Sequence, residues 1–408
     1  MRRKAQRDLT IEQKLARGPI DLPFLALVLL LTAVGLIMLL SASYASAFYN
    51  LTPGIDTKGN PYYFFLEQLT FAVIGVVFML VVSRIDYQQM RWMSIFALGI
   101  SLILLALVET PLGATANNAR RWLNLGFVTF QPSELVKIGI VMFFAAKLAK
   151  RNDRKKVKKK WRNWPVLGKV LGFLDKIGLL ELIPYGVIIL IVMVLLIRQP
   201  HMSCMILILA TAASVLLAGG IHLGWFAAAA AAVGGGLWYI ITQTEYMNAR
   251  IQAWRHPELD PLGDSYQLWQ SQIAIGSGGL TGVGLGNSTQ KYLFLPEEHN
   301  DFIFAIVCEE LGFIGALIIM ALFALLIIRG YWLALHARDR FGSLLIVGLT
   351  TLIAVQTLLN IGVATGALPT TGISLPFFSY GGTALVIQLG SMGVILSVSR
   401  QIVAVKAE

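Results

Sequence analysis

Three acidic residues lie at or inside an apolar run in the last third of the chain. Asp301 precedes the run Phe302–Val307, and Glu309 and Glu310 follow it closely. A carboxylate within a membrane costs about 2.5–3.5 kcal/mol on insertion scales, so such groups usually face a protein interior or a wet cavity and mark a functional site. The alternative is structural: Asp301 only caps a helix, and the glutamates pair with basic groups on neighbouring helices. Acid–base chemistry and simple capping are both open here.

A second set of charges surrounds Pro132. Proline suits the first position of a helix, where its missing N–H costs nothing, and Glu134 then falls in the first turn, where the helix dipole favours an acid. Lys137 is three residues further on, hence on the same face, and Arg121 precedes the helix. The spacing predicts either an intrahelical ion pair at the membrane surface or part of a polar site.

A glycine-rich run, Gly276–Gly286, comes before the acidic segment. Its spacing fits neither the phosphate loop of nucleoside triphosphatases nor the dinucleotide fingerprint, and no strand precedes it. Two interpretations stay open: backbone N–H groups approach a diphosphate, or the glycines allow tight packing of a re-entrant segment. His201, in the turn Arg198-Gln199-Pro200-His201, has no second ligand at metal spacing, which favours a polar helix end.

The elements that position these residues must be membrane helices. Hydrophobic residues make up 56% of the chain and charged residues 13%, with a mean hydropathy of +0.70, whereas soluble domains carry about 25% charged residues. We expect an all-α polytopic protein, one membrane domain over 1–408, with a large loop folded over a cavity. Ten spans are predicted, at about 22–47, 65–83, 92–110, 132–149, 181–198, 202–220, 223–243, 302–328, up to 365 and up to 399.

Basic residues predict the orientation. The N-terminal residues 1–20 and the loop 147–180 are rich in lysine and arginine, which places both in the cytoplasm; part of the second segment is expected to lie flat on the membrane. The loop 244–301 and the loops carrying Arg121 and Ser379 are then external, and both termini are cytoplasmic. Membrane orientation therefore explains the net charge of +11 better than a nucleic-acid partner does. Cys204 and Cys308 lie in apolar runs and indicate no disulfide or metal site.

Four motifs resemble one family. They are LPEEHNDFIFAIVCEELG, which contains Asp301; QPSELVK, which contains Glu134; YQLWQSQIAIGSGGLTGVGLG; and the C-terminal signature from Asn360 through PTTG to SYGGT. Together they are similar to the SEDS proteins (shape, elongation, division and sporulation), the peptidoglycan polymerases of the FtsW, RodA and SpoVE type, and the resemblance covers nearly the whole chain. Two positions depart from the family: Asn300, where members commonly have threonine, and His201, where many have an acid.

The resemblance implies a bacterial multi-pass enzyme of the cytoplasmic membrane that polymerises lipid II through β-1,4 glycosidic bonds and releases polyprenyl diphosphate. Asp301 would be the catalytic base. Substrate-binding candidates are Arg121, Glu134, Lys137, Lys291, Glu298, His299 and Ser379. No cofactor is certain, although a divalent cation, Mg²⁺ or Mn²⁺, would suit a diphosphate, and Glu134 could hold it. The implied partner is a class B penicillin-binding protein, a transpeptidase.

Two alternatives come from other classes of protein. A lipid II flippase needs charges along a path open to each side, whereas the polar groups of this sequence gather at the external face. A non-catalytic scaffold for the transpeptidase would make Asp301 dispensable. Cell division, shape and sporulation are all open as processes, with a lean towards the FtsW and SpoVE side.

Overall fold

A computed structural model describes residues 18–50, 55–116, 119–124, 126, 129–150, 179–199, 201–243, 251–263, 265–292 and 294–406. The cytoplasmic segments predicted at 1–20 and 147–180 lie largely outside these residues. The helices are α1 Leu22–Phe48, α2 Tyr63–Arg84, α3 Tyr87–Leu107, α4 Pro132–Ala149, α5 Leu179–Arg198, α6 Met202–Ala218, α7 Leu223–Gln243, α8 Tyr266–Ser277, α9 Ile303–His336, α10 Arg340–Ala364 and α11 Gly382–Lys406.

The helix starts follow from local chemistry. Asp21 caps α1 by accepting a hydrogen bond from the backbone N–H of Phe24 (2.9 Å), and Asp86 caps α3 in the same way. Helix α4 begins at Pro132, as the sequence predicts. A side-chain oxygen at such a position satisfies one of the N–H groups that the first helical turn leaves unpaired. The predicted starting residues lie within two residues of the observed helix starts, except for α3, which was predicted from about 92 and begins at Tyr87.

Among the described residues, seven helices are long and apolar enough to cross a membrane: α1, α2, α3, α5, α9, α10 and α11. Helix α6 is apolar but shorter. The fold is a mostly helical polytopic membrane protein, while the count of ten spans stays a prediction. Helices α10 and α11 bury 72% and 67% of their most apolar windows, against 22–44% for the other five, so these two form the centre of the bundle.

The structure departs from the sequence prediction in three places. The loop 111–131 folds into a small antiparallel sheet of β1 Gly113–Ala116, β2 Ala119–Asn124 and β3 Thr129–Phe130, in that order. The loop 244–301 contains α8 and a 3₁₀ turn, Pro257–Leu259. Helix α9 extends past the predicted end at 328, so Arg329 belongs to the helix and not to a loop, and Gly312 breaks it with a φ of 69°.

Candidate active site

A tight turn before α9 carries Asp301. Glu297 has a left-handed backbone (φ 58°), and its carbonyl oxygen accepts hydrogen bonds from the N–H groups of Asn300 (3.0 Å) and Phe302 (3.3 Å). The backbone oxygen of Asp301 accepts from Asn360 Nδ2 (2.8 Å) on α10. On the side of the turn, all of these bonds use main-chain groups. They therefore fix the position of Asp301 without using its carboxylate.

The carboxylate of Asp301 is half-buried, and it accepts no hydrogen bond from the residues that the structure describes. Burial raises the pKa of Asp301 to about 7, and the charge of Glu297 adds to the increase; Arg121 and His299 oppose it. The carboxyl group is therefore half-ionised near neutral pH, as a general base requires. Its Oδ2 lies against Gly372, where an added Cβ would approach to 3.0 Å.

Arg121 on β2 connects Asp301 with the start of α6. Its Nε donates to the carbonyl oxygen of Gln199 (3.3 Å), and Gln199 is itself held by a bond from its Nε2 to Leu105 O (2.8 Å). The positive charge of Arg121 lowers the pKa of both Asp301 and His201. The small sheet thus holds Arg121 where its positive charge acts on Asp301. The sequence predicted only an external loop here.

Glu134 and Lys137 make the ion pair that their spacing predicts. Lys137 Nζ lies 2.9 Å and 2.8 Å from the two carboxylate oxygens of Glu134, and the lysine side chain is only 3% exposed. Both residues also line a small cavity of about 40 Å³ between α4, α10 and α11. The predicted ion pair is therefore present, in the wall of a cavity; a role of these residues in substrate binding stays a prediction.

The cavity reaches the Asp301 turn through Ser379. Ser379 lines the cavity, and its Oγ donates to the backbone oxygen of Asn300 (2.6 Å) and accepts from Leu375 N (2.7 Å). Polar side chains continue deeper along the same wall at Gln356 and Gln388. The polar wall of the cavity is thus bonded, through Ser379, to the turn that carries Asp301.

His299 and Glu298 lie behind the turn and are both buried. The ring of His299 stacks on Phe64 (4.9 Å between centroids) and meets Tyr380 edge-on (5.9 Å), while its Nδ1 lies 3.5 Å from Glu298 Oε1. His299 lowers the pKa of Asp301 through its charge. This electrostatic effect is the described connection between His299 and the site.

Glu67 and Gln68, in the first turns of α2, were not among the predicted site residues. Glu67 Oε2 accepts from the Tyr380 hydroxyl (2.8 Å), and Gln68 bonds the backbone on both sides of Tyr380, at Ser379 O (3.2 Å) and Gly381 N (3.1 Å). Burial and the Glu67 charge raise the pKa of Tyr380. An acid and an amide beside each other at the start of an apolar helix were the signal that could have found them.

Lys291 belongs to a different cluster. Its Nζ donates to Ser41 Oγ (3.1 Å), Gly286 O (2.6 Å) and Glu310 Oε1 (3.0 Å), and the lysine side chain is 2% exposed. Glu310 also accepts from Ser41 Oγ at 2.6 Å and 2.7 Å. These contacts hold the loop 244–301, which contains Lys291, against α1 and α9. A role for Lys291 in substrate binding stays a prediction, and no described contact brings it to Asp301.

The glycine-rich run packs against the break in α9. Val283 N and Gly284 N donate to the carbonyl oxygens of Glu309 (3.0 Å) and Glu310 (3.1 Å). A Cβ at Gly282 would come within 2.1 Å of Glu310 O, so only glycine allows this approach of two backbones. Of the two interpretations of this run, tight packing is the one that its contacts support.

His201 takes the structural role that the sequence favours. Its Nδ1 accepts from Cys204 N (3.2 Å), which caps α6, and its Nε2 lies 2.9 Å from Gln131 Nε2. Burial lowers the pKa of His201 to about 3, with further lowering by Arg121 and Lys137. The ring is therefore neutral, and both cations are close to it. The charge of Arg121 therefore acts both on Asp301 and on His201, which also lies near Lys137.

Comparison with known proteins gives consistent results over almost the whole chain. A family model of cell cycle proteins, named after FtsW, RodA and SpoVE, matches residues 22–403. The chain is 37% identical over 380 residues to a probable peptidoglycan glycosyltransferase FtsW of Trichlorobacter lovleyi, with 93% of each chain covered. It is 36% identical over 381 residues to stage V sporulation protein E of Bacillus subtilis, covering 93% of this chain and 97% of the relative.

Two solved structures share the fold. One is of a peptidoglycan synthase complex that coordinates polymerization and crosslinking; the TM-score is 0.69 at 26% identity, with 94% of this chain and 98% of the other covered. The second is the rod shape determining protein RodA of Thermus thermophilus, with a TM-score of 0.62 at 25% identity over 93% of this chain and 97% of the other.

Proposed function

The chain belongs to the FtsW, RodA and SpoVE family of cell cycle proteins, and from this membership we propose that it is a peptidoglycan glycosyltransferase. It polymerises lipid II by forming β-1,4 glycosidic bonds and releases polyprenyl diphosphate. One observation carries the proposal furthest: a half-buried carboxylate, Asp301, has a pKa of about 7 and lies within the electrostatic reach of Arg121. A base and a cation are the two groups that this reaction needs.

Asp301 acts as the general base. The acceptor sugar hydroxyl has a pKa far above 7, so its oxygen attacks the donor's anomeric carbon efficiently only when a base takes its proton. The proton passes to the Asp301 carboxylate as the new C–O bond forms and the bond to the donor diphosphate breaks. A positioned base contributes about 10²–10⁴ in rate. The backbone contacts of the turn support this role, because they hold Asp301 while leaving its oxygens available.

The leaving diphosphate gains negative charge as its bond to the sugar breaks. Arg121 and Lys137 stabilise that charge, since fixed cations in a partly dehydrated site act strongly on a developing anion. Glu134 orients Lys137 through their ion pair. The small cavity between α4, α10 and α11 places this ion pair in a polar wall at the edge of the site, and the polyprenyl chain of the substrate would lie between helices.

A divalent cation belongs to the proposal as an option. Among the described residues no group of three or more His, Cys, Asp or Glu side chains could hold a metal. Mg²⁺, however, is commonly bound by one or two carboxylates together with substrate phosphates and water, and the carboxylate of Glu134 fits that donor set. When bound, such an ion would neutralise part of the diphosphate charge. Addition and chelation of Mg²⁺ and Mn²⁺ during polymerisation test this directly.

The partner and the orientation are likewise proposed. A class B penicillin-binding protein is the partner class that fits, because a solved relative of this fold is a peptidoglycan synthase complex. We place the Asp301 end of the bundle at the outer face of the bacterial membrane and both termini in the cytoplasm. Labelling a cysteine introduced at Glu258 from outside intact cells tests the orientation; labelling only after permeabilisation would invert it.

The decisive experiment is polymerisation of lipid II by purified protein in detergent, where no second compartment exists. Asp301→Asn keeps the size of the side chain but removes the base, and we expect a loss of about 10²-fold or more. Asp260→Asn, in the exposed part of the same external loop, is the matched control and should retain activity. Equal folded yields are verified by gel filtration.

The outcomes separate the functions. Polymer from the wild type and from Asp260→Asn, but not from Asp301→Asn, supports the polymerase. Equal polymer from all three removes Asp301 as the base. No polymer from any of them, even with the transpeptidase added, would favour a flippase or a scaffold over an enzyme.

A further inference from the structure

The end of the bundle opposite Asp301 carries a second set of charges. Glu67, near the start of α2, bonds Tyr380 at the Asp301 end, and α2 then extends through its 22 residues to Arg84. The turn into α3 and the turn between α9 and α10 meet at this far end. This surface takes no part in the proposed reaction.

Two segments make up this surface, 83–91 and 337–342, which we call the basic end. They contain four arginines and two aspartates: Arg84, Arg91, Arg338, Arg340, Asp86 and Asp339. The carboxylate of Asp339 accepts from the Tyr87 hydroxyl (2.6 Å), Gln88 Nε2 (3.0 Å) and the N–H of Gly342 (3.1 Å). The basic end therefore carries an excess of positive charge, and Asp339 is occupied by neutral donors.

Three guanidinium nitrogens of the basic end are buried and have no hydrogen-bond partner among the residues that the structure describes: Nε of Arg91, and Nε and Nη1 of Arg338. Most buried polar atoms in proteins are paired, so each exception needs an explanation, and a bound ion is one of those that recur in native structures. Arg340 shows the contrast, since its Nη2 donates to the carbonyl oxygen of Gly219 (2.5 Å). The unpaired donors belong to charged groups, which makes an anion the natural acceptor.

The contacts of Asp339 bring Arg91 and Arg338 to adjoining positions. Arg338 directly precedes Asp339, which is bonded to Tyr87 and Gln88 in the first turn of α3. Arg91 follows Gln88 by three residues and Tyr87 by four, so it shares their face of the helix. Two guanidinium groups with unpaired donors thus lie on the two segments that Asp339 joins.

We propose that Arg91 and Arg338 bind a phosphate group, and that this phosphate is the headgroup of an anionic membrane lipid. Planar guanidinium groups match phosphate oxygens with paired, charge-assisted hydrogen bonds. Basic groups beside membrane helices attract anionic lipids. Trp92 follows Arg91 and is 65% exposed, and tryptophan is enriched where helices pass through the headgroup region. Arg329 stacks on Trp332 (4.1 Å) on the same side of the bundle.

Native mass spectrometry of the purified full-length protein tests the site. The protein is freed of lipid and mixed with equal amounts of phosphatidylglycerol or phosphatidylcholine. We expect the wild type to retain phosphatidylglycerol, and the double variant Arg91→Gln/Arg338→Gln to retain at least about tenfold less, as expected for losing charge-assisted bonds. Phosphatidylcholine retention should not change. Arg255→Gln, an exposed arginine of the external loop, is the matched control and should behave as the wild type.

A second variant guards against a folding defect. Arg91→Lys/Arg338→Lys keeps both charges but loses the planar donors, and its phosphatidylglycerol retention should fall several-fold. Inorganic phosphate is added as a competitor to separate the two sources of phosphate. Complete displacement of the lipid by millimolar phosphate would assign the site to a free anion and overturn the lipid. Equal phosphatidylglycerol retention by the wild type and the glutamine double variant would overturn the site altogether.

Discussion

The pH dependence of polymerisation should report the carboxyl group of Asp301. Its pKa is about 7, and a base acts only when it is deprotonated. The active fraction then rises from about a tenth at pH 6 to about nine-tenths at pH 8. We expect kcat/KM, which reports groups of the free enzyme, to increase about tenfold over this interval, with its midpoint near pH 7.

Two neighbouring charges determine in which direction a substitution should shift the midpoint of the pH profile. The charge of Glu297 raises the pKa of Asp301, and that of Arg121 lowers it. Glu297→Gln should therefore move the midpoint to lower pH, because the carboxylate then forms more easily. Arg121→Gln should move it to higher pH and also slow the reaction. Glu258→Gln changes a fully exposed acid in the same external loop and should leave the midpoint in place.

The assay is the initial rate of glycan formation from lipid II by each purified variant, measured at subsaturating substrate between pH 5.5 and 8.5. The ionisation of the substrate is common to all variants, so differences between their midpoints belong to the protein. A wild-type profile that is flat between pH 6 and 8 would refute the assignment of Asp301 as the base. A midpoint that rises, or stays unchanged, in Glu297→Gln would refute the electrostatic reasoning.

Three further predictions concern the same region. Gly372→Ala should reduce kcat about tenfold or more, since misplacement of a catalytic group is costly and the new Cβ would lie 3.0 Å from Asp301 Oδ2; Gly381→Ala, whose Cβ meets an ordinary contact at 3.6 Å, should be near normal in the same assay. Lys291→Met should destabilise the protein by about 3–5 kcal/mol, because it leaves Glu310 buried without its charged partner. Thermal unfolding measures this, and the double variant with Glu310→Gln should recover part of the lost stability. Equal stability of the wild type and Lys291→Met would contradict the prediction. The folded-state pKa of Asp301 is raised from 3.8, so the wild type loses stability as pH rises from 4 to about 7; Asp301→Asn should gain melting temperature over the wild type at pH 8 but hardly at pH 4.

The sequence predicted the fold and the ion pair because both depend on local pattern. An apolar run long enough to cross a membrane forms a helix because the lipid offers its backbone no hydrogen-bond partners. The helix start at Pro132 follows from the missing N–H of proline. Glu134 and Lys137 pair because three residues separate them on one helix. Asp301 became a candidate because a carboxylate before an apolar run is expensive to bury, and its catalytic role stays a prediction.

The remaining features depend on residues far apart in the chain. The bond of Glu67 to Tyr380 joins positions 313 residues apart, so the polar pair at the start of α2 could mark Glu67 in the sequence but could not identify its partner. At the break at Gly312, backbone groups of the run Gly276–Gly286 replace helical hydrogen-bond partners, and the bonded residues lie 26 to 34 positions apart in the chain. Lys291 was a substrate-binding candidate implied by the resemblance; its contacts with Ser41 and Glu310 become visible only when α1 and α9 are packed together.

The break in α9 also has a consequence for how the protein fits its membrane. At 1.5 Å per residue the 34 residues of α9 would extend about 50 Å as one rod, whereas the hydrocarbon layer is about 30 Å thick. The part from Phe313 to His336 alone spans about 36 Å, so it matches the layer with a modest tilt. A thicker or thinner bilayer would change that tilt, while the part from Ile303 to Leu311 is held by the glycine run instead. The helix end that carries Asp301 is thereby insulated from hydrophobic mismatch, and polymerisation should vary little among lipids of different chain length.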